Sequence, residues 1–347
     1  MFPETRISSL LRILQRYPAA NRPDPAQPPT SPASGFSGAG VWRIETPAGP
    51  CALRAMPAGN VDVRRLAELH RLLAHLRNSG FLEMPVPIPS ETGETFIRSG
   101  DEFWQLEPWM PGTAGYSLRP SAARLAAAMA CLARWHAAAS RFVPSGTGSA
   151  WFFNSASRPS PGIAERYAET ARWDTRLCDR VREQLDRSPW TEFASLGREI
   201  LSRFQQLAPR ISMLLAPALH TAVPLQPCLR DVWHDHVLFT GDEVTGLIDP
   251  HAARSDCVAT DLARLLGSLA GDDRRTWDVG LGAYQAVRPL SIDELALVEL
   301  FDQSSVLLSG LTWLDWCCLQ QRSFANREQV VSRLQAIVGR MEHLAQR

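Results

Sequence analysis

Cys228–Pro250 reads CLRDVWHDHVLFTGDEVTGLIDP, with Asp231 near its start and Asp249 near its end. His236 follows Asp231 by five residues, and the apolar run Val237-Leu238-Phe239 comes next. Thr240-Gly241-Asp242-Glu243 is rich in turn formers, and a second apolar run from Val244 to Ile248 leads into Asp249. Two short β-prone runs around a Gly/Asp turn predict a β-hairpin. Its open end is expected to bring Asp231 and Asp249 together. Two carboxylates so placed can hold a hydroxyl and a cation, which is what phosphoryl transfer asks of a protein.

The spacing resembles the catalytic and metal loops of the aminoglycoside phosphotransferase and choline kinase-like family, small-molecule kinases with a protein-kinase-like fold. The family pattern is His-Gly-Asp, four residues, Asn, an apolar strand, a turn, a second apolar strand and Ile-Asp. The resemblance implies that Asp231 is catalytic and that His236 and Asp249 bind metal. Two positions depart from it: Leu229 and Arg230 stand where the family has His-Gly, and His236 stands where it has Asn. Mg2+ prefers oxygen donors and imidazole suits transition metals, so Mg2+ is expected with Mn2+ as the alternative. The nucleotide implied is ATP or GTP.

A length of 347 residues and a 45% apolar share suit a two-lobed enzyme with a full core. Formal net charge is zero, which implies no nucleic-acid partner. All 36 basic residues are arginine, so no lysine chemistry is available. The seven cysteines form no C-x-x-C, against a zinc ribbon or a secreted disulfide framework, and a reduced cytoplasm is expected. No run of about 18 apolar residues predicts a membrane span, and arginines interrupt the N-terminal apolar stretches where a signal peptide would lie.

Working outward, residues 5–17 carry apolar side chains at helical spacing and predict a short helix packed on the body. Residues 18–34 are proline-rich and read as a linker. A glycine-rich run with Gly35, Ser37 and Gly38 opens a strand–turn–strand unit ending at Arg54. The resemblance places Gly35, Ser37 and Gly38 on the nucleotide loop and Arg54 at the phosphate-gripping lysine. Arginine keeps that charge and adds a planar fork suited to phosphate. Residues 61–78 form an amphipathic helix on Leu66, Leu69, Leu73 and Leu76, with His70 and His75 expected on its surface. The resemblance pairs its Glu68 with Arg54, and makes Glu107 and Trp109 a hinge whose backbone meets adenine. In the later helices His136 is expected to pack structurally, and Asp261 to anchor the catalytic loop.

The implied fold is α+β and protein-kinase-like: an N-terminal helix and linker over 1–33, a small antiparallel-sheet lobe with one helix over 34–107, and a larger, mainly helical lobe over 108–347. The function implied is ATP-dependent transfer of the γ-phosphate to a hydroxyl of a small molecule. A nucleotide-binding protein without turnover is a second reading. A third is a metal-dependent hydrolase using His234, His236 and Asp249, beside Asp231 and His251, because a His-x-His pair on a strand presents both rings on one face.

Overall fold

The computed structural model describes residues 4–23, 27–31, 40–324 and 326–347; Gly35, Ser37 and Gly38 lie outside them. In chain order the elements are α1 (Glu4–Leu14), β1 (Gly40–Ile44), β2 (Cys51–Pro57), α2 (Val63–Asn78), β3 (Ile97–Ser99), β4 (Glu102–Pro108) and α3 (Ala122–Ala139). There follow β5 (Ser155–Pro159), α4 (Pro161–Arg172), α5 (Thr175–Asp186), α6 (Thr191–Ala218), β6 (Ala222–Cys228), β7 (Val237–Thr240), β8 (Glu243–Leu247) and β9 (Arg254–Asp256). The chain closes with α7 (Ala259–Ala270), α8 (Arg274–Gln285), α9 (Ile292–Leu314) and α10 (Arg327–Ala345). They form two compact units, Met1–Phe153 with Asp235–Ala253, and Asn154–His234 with Arg254–Arg347.

In the first unit, β1, β2, β4 and β3 make an antiparallel sheet in that order. Strand alternation divides its two faces. Trp42, Ile44, Leu53, Trp104 and Leu106 lie on one face, where Leu10, Ile13, Leu14 and Tyr17 bury them. The N-terminal helix is therefore part of the core of this unit, as its periodicity implied. The Arg6 guanidinium rests 4.9 Å from the Trp42 ring and 4.8 Å from the Trp104 ring. Arg54, Gln105 and Glu107 occupy the opposite face, since Arg54 pairs in register with Gln105.

α2 starts where Asp62 accepts the amide protons of Arg64 and Arg65. Leu66, Leu69, Leu73 and Leu76 are buried as the spacing requires, but so are Leu72 and His70. His70 is not a surface residue. Its Nδ1 lies 2.7 Å from the Thr95 hydroxyl and its Nε2 3.1 Å from Gln105 Oε1. His75 is also drawn inward, with Nε2 3.1 Å from the Ala138 carbonyl oxygen. The helix is covered by the sheet and by α3 on different sides, so its buried arc is wider than one apolar stripe.

The predicted hairpin is present as β7 and β8, pairing Val237 with Leu247 and Thr240 with Glu243. Gly241 takes the left-handed conformation that the tight turn needs, φ 62°. Arg124 of α3 donates to the Gly241 carbonyl oxygen at 3.0 Å, which fixes the turn from below.

In the second unit, β5, β6 and β9 form a short antiparallel sheet and the rest is helical. α6 and α9 approach closely at Gly310, where a Cβ would lie 2.7 Å from Ile200. α9 begins with a reciprocal cap between Ser291 and Glu294. By length and composition it could cross a membrane. Here its Leu297, Phe301, Leu307, Leu311 and Leu314 are buried in the core.

Two measurements test this core. Leu14→Ala should cost about 3 kcal/mol of unfolding free energy by chemical denaturation, the usual result of truncating a fully buried leucine, and no loss would show that α1 is dispensable. Burial lowers the His70 pKa to about 4 and keeps the ring neutral. The unfolded chain then takes up the proton first, so stability is present above about pH 6.5 and falls towards pH 4 by up to about 3 kcal/mol. His70→Gln should flatten that acid slope, and an unchanged slope would assign it to other groups.

Candidate active site

The polar face of the first sheet carries a continuous chain of groups. Gln105 accepts from His70 and donates through Nε2 to Glu107 Oε2 at 2.8 Å. Arg54 donates through Nε to the other Glu107 oxygen, Oε1, at 2.9 Å. Arg54 Nη1 also lies 3.7 Å from Asp249 Oδ1. Burial works against the guanidinium's charge, yet Glu107 and Asp249 hold its pKa above the usual value.

Asp249 follows β8 directly and adopts a left-handed backbone, φ 62° and ψ 61°. The hairpin end is tied where the Ile248 amide donates to the His236 carbonyl oxygen at 2.9 Å. His251 Nδ1 lies 3.1 Å from Asp249 Oδ1, and His236 Nε2 lies 3.9 Å from Asp249 Oδ2. Arg65 holds the segment beyond by donating to the carbonyl oxygens of His251 and Ala253. Burial would raise the Asp249 pKa. The hydrogen bond from His251 and the charges of Arg54 and the two histidines outweigh it and keep the carboxylate well below its ordinary range. His236 Nε2 and Asp249 Oδ2 are a nitrogen and an oxygen donor 3.9 Å apart, the two atoms that could be offered to a divalent cation.

Glu68 does not meet Arg54. It receives the Ser145 amide at 2.8 Å and the Ser145 hydroxyl at 2.7 Å, and pairs with Arg71 at 2.8 Å. Burial opposes its charge, but these donors lower its pKa. The carboxylate that holds Arg54 is Glu107, which comes from the neighbouring strand. At the expected hinge, the Trp109 amide donates to the Pro50 carbonyl oxygen at 2.9 Å, and its ring lies 5.3 Å from the Arg43 guanidinium. That amide is therefore committed within the sheet region rather than presented to a base.

In the second unit, the loop after β6 carries Asp231. Buried Asp261, in the first turn of α7, accepts the amide protons of Leu229 at 2.7 Å and Arg230 at 2.6 Å. This anchors the loop as expected and holds Arg230 in a left-handed conformation, φ 66°. Arg264, one turn further along α7, donates to Asp231 Oδ1 at 3.1 and 3.3 Å. Alternation in CALRAMP and FWQLEP could have revealed Glu107, because Arg54 and Glu107 both point away from the apolar face. Arg264 stands three residues after Asp261, outside any pattern that pointed to it.

His234–His236 form a single 3-10 turn, not a strand. Residues two apart on such a turn do not share a face, so the geometric argument for a His-x-His hydrolase fails.

Residues 30–296 match the model of the phosphotransferase enzyme family, and the chain belongs to that family. A homoserine kinase from Rhizobium etli is 29% identical over 154 residues, 43% of this chain and 48% of that protein. The chain spans about half the length of the curated relative it matches there. Among solved structures the fold is similar to an amicoumacin kinase in complex with AMP-PNP and Ca2+, with TM-score 0.64 and 13% identity over 99% of this chain and 94% of that one. It is also similar to the AMP-bound spectinomycin phosphotransferase, with TM-score 0.62 and 12% identity over 96% and 98%. The α+β, protein-kinase-like fold is the one the sequence implied.

Asp261→Asn would replace one acceptor of two amide protons by a donor. Each buried donor left unpaired costs about 1–3 kcal/mol, so the variant should lose about 3 kcal/mol in urea denaturation. A loss under about 0.5 kcal/mol would show that the loop is held by other contacts.

Proposed function

We propose that the protein is an ATP-dependent small-molecule kinase that transfers the γ-phosphate to the hydroxyl of a compound of homoserine's kind. The observation that carries this reading is the convergence of Arg54, Glu107 and Asp249 behind the hairpin. A guanidinium held by a buried carboxylate also reaches the acidic residue at the family's metal position. Phosphoryl transfer needs little covalent chemistry from a protein and much charge neutralisation. Arg54 supplies a permanent positive charge with a fork matched to phosphate oxygens.

Asp249 and His236 would hold one divalent cation, Mg2+ or Mn2+, and the imidazole donor favours Mn2+. When bound, that cation supplies neutralisation of phosphate charge. Glu107 keeps Arg54 extended along the sheet face, and His251 and Arg65 fix the backbone that carries Asp249. Asp231 orients the acceptor hydroxyl and accepts its proton, and Arg264 restricts the rotation of that carboxylate. Leu229 cannot make the hydrogen bonds of the histidine it replaces. Asp261 does the anchoring from the other side of the loop, which supports an active enzyme over a protein that only binds nucleotide.

The test is thermal shift of the full chain with ATP, with GTP, and with Mg2+, Mn2+ or no metal, followed by 31P NMR with homoserine. A ligand that binds only the native state raises its stability by about 2.7 kcal/mol at 100 Kd. A metal-dependent rise of a few degrees is expected and should vanish in Asp249→Ala. Asp231→Asn should keep the shift and lower turnover at least about 100-fold. No shift with any nucleotide and metal would refute the kinase reading.

A further inference from the structure

Asp249 follows the hairpin and opens a tight turn. Its left-handed backbone reverses the chain, Pro250 fixes the next φ, and the Ala253 amide closes the turn on the Pro250 carbonyl oxygen at 2.9 Å. The turn brings the His251 imidazole back to the carboxylate two residues before it. Arg65 ties the same turn to α2 through the carbonyl oxygens of His251 and Ala253. The contact between His251 and Asp249 is thus set by backbone that is held from both ends.

An ionised carboxylate only accepts, so the proton in this contact belongs to His251 Nδ1, 3.1 Å from Asp249 Oδ1. The other ring nitrogen, Nε2, is buried and makes no hydrogen bond among the described residues. Asp249 is therefore the one hydrogen-bonding target of this side chain among them. The contact makes the two Asp249 oxygens unlike. Oδ1 accepts from His251 and lies 3.7 Å from Arg54 Nη1. Oδ2 makes no hydrogen bond among the described residues and lies 3.9 Å from His236 Nε2, on a side chain that is 35% exposed. His251, Arg54 and His236 are the titratable and charged groups that bear most on this carboxylate, and of the three only His251 is within hydrogen-bond distance.

We propose that His251 is a positioning residue that holds Asp249 in a one-oxygen binding mode, so that the site takes a small divalent cation, Mn2+ or Mg2+, and discriminates against Ca2+. This deepens the reading of Asp249 as the cation's carboxylate and rests on it. Ca2+ gathers about six to eight oxygens at roughly 2.3–2.6 Å and readily takes both oxygens of one carboxylate, whereas Mg2+ keeps a compact octahedral shell. A carboxylate with one oxygen committed to an N–H offers the other alone. Hydrogen-bonded groups behind a ligand fix its orientation, and losing one commonly costs about 10–100-fold in metal affinity.

The test is thermal shift of the full-length protein at saturating AMP-PNP, with Mn2+, Mg2+ or Ca2+ titrated and the half-saturating concentration read for each. The wild type should half-saturate with Mn2+ at a concentration at least 10-fold below that for Ca2+. In His251→Leu the ratio should fall to threefold or less. His251→Asn, whose amide N–H falls near the place of Nδ1, should keep at least half of the preference. His251→Gln, whose amide falls near the place of Nε2, should lose it. If His251→Leu does not fold, the Asn and Gln variants make the same comparison. A wild type that takes Ca2+ as readily as Mn2+, a ratio in His251→Leu within twofold of the wild type, or an Asn variant no better than Gln would each overturn the proposal. No response to any metal would overturn it together with the kinase reading. Discrimination that depends on His251, without turnover of any acceptor, would sink the kinase reading alone. Metal-dependent turnover with a ratio indifferent to His251 would sink this proposal alone.

Discussion

The ion pair between Arg54 and Glu107 sets the terms for the first unit. Both side chains are almost entirely removed from water, where an isolated charge is prohibitively costly. The pair persists because its surroundings are satisfied in sequence: Thr95 to His70, His70 to Gln105, Gln105 to Glu107, Glu107 to Arg54, and Arg54 towards Asp249. Each link uses a donor against an acceptor, and His70 must stay neutral for its two ring nitrogens to play different roles. The other face of the same strands is sealed by α1. One sheet thus separates an apolar layer from a polar chain within a single strand thickness, and neither side can shift register without misplacing the other.

The two loops that carry the proposed site carboxylates, Asp231 and Asp249, use one device. Arg230 and Asp249 adopt left-handed backbones, which cost ordinary residues on the order of 1–3 kcal/mol. At Arg230 the strain is held by Asp261, whose carboxylate captures two successive amides. At Asp249 it is held by the hairpin closure at His236 and by Arg65 gripping the carbonyls beyond. The backbone at Arg230 aims the neighbouring Asp231, and the backbone at Asp249 aims that residue's own carboxylate; either would relax if released. That explains how Leu229 can replace a hydrogen-bonding residue in the loop without releasing it.

Local patterns carried most of the fold. The alternation and turn chemistry of 237–247, the leucine stripe of α2 and the spacing of Asp231, His236 and Asp249 were readable because each depends on neighbours close in sequence. What escaped depends on partners far along the chain. Glu68 was matched to Arg54 by position alone, but Ser145, 77 residues later, claims it. Glu107 was read for its backbone, although its side chain is the part that matters. His70 looked exposed because only one covered face of α2 was counted. His234 and His236 looked like strand residues because the apolar run begins one residue later, at Val237, and the chain is still turning before it.

A proposed nucleotide site whose cation is an arginine answers differently to the chemist. A lysine in the place of Arg54 would offer an amine to acylating reagents, to aldehydes and to reactive nucleotide analogues. In this chain no side chain presents such an amine. Labelling that maps nucleotide sites through amines will pass over the polar face of the sheet in silence. Dicarbonyl reagents, which condense with guanidinium groups, are the ones that can report on Arg54, and a nucleotide seated against it would shield it from them.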